Sequence, residues 1–84
     1  MTAWHVHVYI QLKDGVLDTQ GKAVERSLHS LGHDSLQAVK IGKYVQLWIN
    51  ADSEQSARQQ AVRMCDDLLV NGIIEQFSVE VEGE

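Results

Sequence analysis

Nine residues near the start of the chain, Trp4 to Leu12, alternate without a break. Trp4, Val6, Val8, Ile10 and Leu12 point one way, and His5, His7, Tyr9 and Gln11 point the other. Period two with β-branched and aromatic residues reads as a half-buried strand, closed by Lys13-Asp14-Gly15. Such a strand needs neighbours for its edges and a second layer over its apolar face.

The rest of the chain is read for those partners. A first helix is expected after the turn. Asp18 or Thr19 can accept a bond from its first free amides. Val24, Ser27, Leu28 and Leu31 share one face, with Ala23 on its flank, and Gly32 stands where a left-handed cap is wanted. Leu36 to Ile41 reads as a short strand. Gly42-Lys43 reads as a two-residue hairpin turn, leading into Tyr44 to Ile49, where Val45, Leu47 and Ile49 form one face and Tyr44, Gln46 and Trp48 the other. A second helix follows, with Asp52 as its cap and Gln55 completing a capping-box spacing. Its apolar stripe is Ala57, Ala61, Met64, Cys65 and Leu68, widened by Leu69, and Asn71-Gly72 ends it. A last strand runs from about Ile74 to Val81, with Phe77, Val79 and Val81 facing inward.

This order predicts an α+β two-layer sandwich, β-α-β-β-α-β, with a four-stranded antiparallel sheet and both helices on one face. A weak internal repeat is visible: Ala23-Val24 and Leu31 recur as Ala61-Val62 and Leu69. At 84 residues the chain is one domain, 1–84. A domain this small buries only roughly 60–65% of its unfolded surface, which leaves a thin core.

With both helices on one side, the opposite sheet face is left bare. It carries His5, His7, Tyr9 and Gln11, then Tyr44, Gln46 and Trp48, then Gln76, Ser78 and Glu80. Three of the five aromatic residues fall there. Tyr and Trp combine apolar area with a polar handle, and a patch of this kind marks an interface. Self-association through His7, Tyr9, Tyr44, Gln46 and Trp48, as a dimer or tetramer, would supply core that one copy lacks.

Seven Lys and Arg against twelve Asp and Glu give a formal charge of −5, which disfavours nucleic acid as a partner. Four of the acids, Glu75, Glu80, Glu82 and Glu84, fall in the last ten residues. Without them the balance is 12 − 4 = 8 acids against 7 bases, or −1. One cysteine permits no intrachain disulfide, no basic-then-apolar leader is visible, and no apolar run approaches a membrane span. A soluble cytoplasmic protein is expected.

Catalytic constellations are missing from the sequence. His5 and His7 have the i, i+2 spacing of a strand metal site. Two ligands do not make a site, and a third, such as Glu80, must come from a neighbouring strand. The pair therefore reads as polar sheet residues. Cys65 reads as a small buried hydrophobe, since Asp66 and Asp67 oppose a reactive thiolate, and those two acids read as a solvated helix face. No phosphate-binding glycine loop is present. Lys43 beside Gly42 reads first as a turn lysine.

Several separated segments carry a family resemblance. They are Val16-Leu17-Asp18-Thr19-Gln20-Gly21-Lys22-Ala23-Val24, Leu28-His29-Ser30-Leu31-Gly32, Val39-Lys40-Ile41-Gly42-Lys43-Tyr44, Met64-Cys65 and Leu68-Leu69-Val70-Asn71. In this order, spread over nearly the whole chain, they closely resemble the PurS family, the small subunit of phosphoribosylformylglycinamidine synthase. One departure is Thr19, where the family typically has proline, a residue suited to the first helical position. The resemblance implies a non-catalytic subunit of an ATP- and glutamine-dependent ligase of de novo purine synthesis. It implies that the chain joins a synthetase subunit to a glutaminase subunit and supports ammonia transfer between them. It further implies that ATP and magnesium belong to the synthetase subunit, with no cofactor held by this chain. Asp18, Gln20, Gly21, Gly42 and Lys43 match the family pattern and are candidate docking residues for the large subunits. Two other readings share the element order: an RNA-recognition-type module with sheet aromatics, against which the charge argues, and a small-molecule regulatory domain.

Overall fold

The computed structural model describes residues 2–83, so Glu84 of the acidic tail lies outside the described residues. The chain runs β1 (Thr2–Leu12), α1 (Thr19–Ser30), β2 (Lys43–Ala51), α2 (Glu54–Met64), a single π turn (Cys65–Leu69) and β3 (Glu75–Gly83). The three strands form one antiparallel sheet in the order β2-β1-β3. The alternating strand recognised in the sequence is thus the central one. Its Val6, Val8 and Ile10 are buried, each opposite a residue of both neighbours, as Val6 is with Leu47 and Val81.

The four-stranded sheet is not formed. Leu36 to Ile41 lies in irregular backbone between α1 and β2. Two local bonds hold it there instead of a strand ladder. The Ile41 N–H donates to Asp18 Oδ2 at 2.8 Å, and His29 Nε2 donates to the Leu36 carbonyl at 2.7 Å. Both edges of β1 are already taken by β2 and β3. Gly42-Lys43 is correspondingly no hairpin turn. Lys43 opens β2 opposite Ile10 of β1. Glycine is required at 42 for another reason: a Cβ there would stand 2.6 Å from the Ile10 carbonyl oxygen.

Among the described residues only one helix covers the sheet. α2 packs against all three strands and α1 against none. The core is Val6, Val8, Ile10, Ile49, Ala51, Ala57, Ala61 and Cys65, flanked by Trp4, Phe77, Val79 and Val81. Small residues on α2 let it approach the sheet closely. With α1 projecting, the molecule is elongated, with extents of 52 × 27 × 14 Å and a radius of gyration of 16.5 Å, where a compact chain of this length has about 12 Å. The proposed apolar face of α1 is therefore uncovered, Leu31 being 75% exposed. The internal repeat has no structural counterpart, since Ala61 is buried and Ala23 exposed.

The helix ends follow local chemistry. Asp18 caps α1, its Oδ1 accepting from the Gly21 N–H at 2.8 Å. Gly32 (φ 98°) ends it in a Schellman arrangement, with the His33 N–H on the Leu28 carbonyl and the Gly32 N–H on that of His29. α2 is capped by Ser53, not Asp52, through Ser53 Oγ and the Ser56 N–H at 3.1 Å. In the π turn the Val70 N–H bonds the Cys65 carbonyl at 3.0 Å. That wider turn rotates the stripe, so Leu69 packs on the core while Leu68 is 84% exposed and Met64 lies at the surface.

Candidate functional site

Two surfaces gather the candidate residues. The first is the sheet face opposite α2. Register places His5 opposite Trp48 and Glu82, His7 opposite Gln46 and Glu80, and Tyr9 opposite Tyr44 and Ser78. The rings stack in a row. His5 and Trp48 lie nearly parallel with centroids 4.6 Å apart, His7 and Tyr44 at 5.7 Å, and Tyr9 and Tyr44 at 5.2 Å. Polar bonds run along the same row. His5 Nε2 is bonded to Gln46 Oε1 at 2.8 Å, His7 Nδ1 to the Tyr44 hydroxyl, and the Tyr9 hydroxyl to Glu80 Oε2 at 3.4 Å. Partial burial, and then the Glu80 carboxylate, push the Tyr9 phenol up from its ordinary value. Trp48 remains 63% exposed and Tyr9 and Tyr44 about half exposed. All five residues assigned to self-association thus share one face.

Glu82, not Glu80, is the carboxylate beside both histidines. Its Oε1 lies 3.2 Å from His5 Nδ1 and 3.4 Å from His7 Nε2, while Glu80 reaches Tyr9. Glu82 was missed because β3 runs to Gly83, past the expected end at Val81. The period-two pattern Ser78, Glu80, Glu82 was the available signal.

The second surface is a cleft of about 310 Å³ where β1 ends, lined by Tyr9, Asp14, Val16, Asp18, Lys40 and Gly42, among others. A smaller neighbouring cleft takes in Gln20, Lys43 and Glu75. Of the candidate docking residues, Asp18, Gln20, Gly42 and Lys43 therefore converge. Gly21 sits beneath them, where a Cβ would stand 2.6 Å from the Val39 carbonyl oxygen. Two of these groups already have partners. The backbone N–H groups of Ile41 and Gly21 on its carboxylate hold Asp18 below its usual range. Lys43 Nζ pairs with Glu75 Oε2 at 3.1 Å. Glu75 is only 9% exposed, and the Asn71 N–H followed by Lys43 lowers its pKa. Gln20 and Lys43 are both exposed, but Lys43 is held by Glu75.

Cys65 lies fully buried under the sheet, and burial followed by Asp66 pushes its thiol up. It behaves as the small hydrophobe expected of it. Asp66 and Asp67 are exposed.

Fold and surfaces together define a small α+β protein with one antiparallel sheet backed by one helix, its polar and aromatic groups spread over an open face and a shallow cleft. Known proteins of this build match it closely. The family model described as PurS, phosphoribosylformylglycinamidine (FGAM) synthase, matches residues 5–83. The phosphoribosylformylglycinamidine synthase subunit PurS of Bacillus subtilis is 43% identical over 79 residues, covering 94% of this chain and 93% of that protein. The crystal structure of Methanocaldococcus jannaschii PurS superposes with a TM-score of 0.86 at 30% identity, covering 94% and 95% of the two chains. A chain from the structure of PurLQS from Thermotoga maritima shares the fold, with a TM-score of 0.90 at 24% identity and 98% and 100% coverage. The chain belongs to the PurS family, whose members are subunits of phosphoribosylformylglycinamidine synthase in purine biosynthesis.

Proposed function

We propose that this chain, as the PurS subunit of that synthase, holds a synthetase subunit and a glutaminase subunit together and supports the passage of ammonia between them, without reacting groups of its own. The observation that carries the reading is the pair of surfaces left uncovered in a chain of this family. One is the stacked face from His5 to Tyr9, and the other is the apolar side of α1 with Leu31 in solvent. A thin core with an uncovered aromatic face and an uncovered apolar helix side is what an assembly component has before assembly. The Thermotoga maritima chain of the same fold comes from a structure of PurLQS, which supports placing this chain in such a complex.

Within that complex His7, Tyr9, Tyr44, Gln46 and Trp48 meet a second copy of the chain, as a dimer or tetramer. Asp18, Gln20, Gly21, Gly42 and Lys43 form the edge that docks to the large subunits. Because Asp18 and Lys43 are held by Ile41, Gly21 and Glu75, their part is to shape that edge, and Gln20 offers the free polar group. ATP and magnesium belong to the synthetase subunit. The cytoplasm is the compartment this role implies, and among the described residues no helix is long and apolar enough to cross a membrane. Glu80 and Glu82 on the aromatic face would repel phosphates, which speaks against the RNA-type reading.

Reconstitution tests the role. Synthetase and glutaminase subunits are mixed with and without the chain, and product is measured with glutamine or with ammonium as nitrogen source. Glutamine-dependent turnover should require the chain, while ammonium-dependent turnover should depend on it far less. Equal glutamine-dependent rates with and without the chain would overturn the assignment.

A further inference from the structure

We propose that His5, His7 and Glu82 form a binding site for one borderline divalent cation of the zinc type. Their ligand atoms all lie within 4.8 Å of one another. The two imidazoles come from one face of β1, and the carboxylate comes from β3 directly opposite His5. Two imidazoles and a carboxylate are a set that zinc and its first-row neighbours accept, with a further position left for water or another ligand. Hard cations such as calcium and magnesium require mostly oxygen donors and do not suit it.

The surroundings orient both rings for this. A neutral imidazole carries one N–H and one bare nitrogen. Gln46 Oε1 accepts from His5 Nε2, which leaves Nδ1 bare on the side of Glu82. His7 Nδ1 is bonded to the Tyr44 hydroxyl, and with Nδ1 as the donor of that bond Nε2 is bare towards the same carboxylate oxygen. Metal-bound histidines are held in this way by a partner on the far nitrogen, which fixes the ring and its tautomer. Trp48 stacked on His5 and Tyr44 on His7 restrict both rings further. Ligand side chains held before the ion arrives lose less entropy on binding it. An ion there would offset the charge of Glu82 and, through Gln46 and Tyr44, would tie together residues of all three strands.

The inference does not depend on the assembly role, although His7, Tyr44 and Gln46 belong to both. It is tested on the full chain, freed of metal with a chelator and titrated with zinc by calorimetry and with cobalt(II) by visible absorption. One equivalent of zinc per chain is expected. His7→Ala on β1 and Glu82→Gln on β3 should each weaken binding at least about tenfold, and His33→Ala on the distant turn after α1 should leave it unchanged. Cobalt should show the intense visible bands of four- or five-coordination, lost in Glu82→Gln. Glu82→Gln is near-isosteric at a half-exposed position and keeps the fold, as circular dichroism would verify. No zinc binding by the parent chain, or binding that both variants leave unchanged, would overturn the proposal.

Discussion

The Asp18 carboxylate accepts two backbone N–H groups at once, from Gly21 and from Ile41, each at 2.8 Å. One side chain thus starts α1 and anchors the irregular segment that leads into β2. Asp18→Ala removes both bonds, so residues 36–42 should loosen. Tryptic cleavage after Lys40 should become markedly faster, read by mass spectrometry of timed digests. The same contacts set a pH dependence. Folding lowers the Asp18 carboxyl below its ordinary 3.8 because Ile41 and Gly21 donate to the charged form. Its contribution is therefore complete above that value and is lost as the pH falls through the folded value. The thermal midpoints of the parent and Asp18→Asn should differ at neutral pH, and the difference should begin to shrink only below about pH 3.8, closing as the pH passes the lower folded value.

Trp48 lies flat on His5 and is nearly two-thirds exposed. Its loss leaves the core of one copy intact, so Trp48→Glu should fold with a near-parental circular dichroism spectrum. Sedimentation velocity should show a shift from the oligomer towards single chains, since a charge on each copy then faces its equivalent. An unchanged sedimentation profile would remove the sheet face as the self-association surface.

Cys65, at the end of α2, is sealed against the sheet, and both burial and Asp66 oppose its thiolate. A disulfide reagent at pH 8 should therefore react slowly with the native protein and rapidly in denaturant. The native rate should rise in an α2 variant such as Ala61→Leu. That change overpacks a site with no exposed surface, should cost about 1–3 kcal/mol, and can be measured by urea unfolding.

Much of the site was legible in advance because the period of β1 sorts side chains without reference to any partner. His5, His7 and Tyr9 could only lie together once Val6, Val8 and Ile10 were inside. Tyr44 and Trp48 joined them by the same rule. The period of β3 put Glu82 on this face, but its meeting with His5 and His7 was not legible, because which carboxylate meets which histidine depends on the β1–β3 register. Leu36–Ile41 departs from its strand-like pattern for a related reason. Its composition suits a strand, but whether its amides meet a ladder or an Asp18 oxygen depends on chain ends brought together only by folding.

Local pattern alone sufficed for the two long strands that alternate, the start of α1 to within Asp18 or Thr19, its end at Gly32, and the family, because each rests on residues adjacent in the chain or on their order along it. The strand count, the solitary packing of α2, the turn that exchanges Leu68 for Leu69, and the meeting of His5, His7 and Glu82 were settled by three-dimensional packing. Those features depend on which edges of β1 are filled and how closely Ala57 and Ala61 let a helix approach, and contacts between residues far apart in the chain carry no local signature.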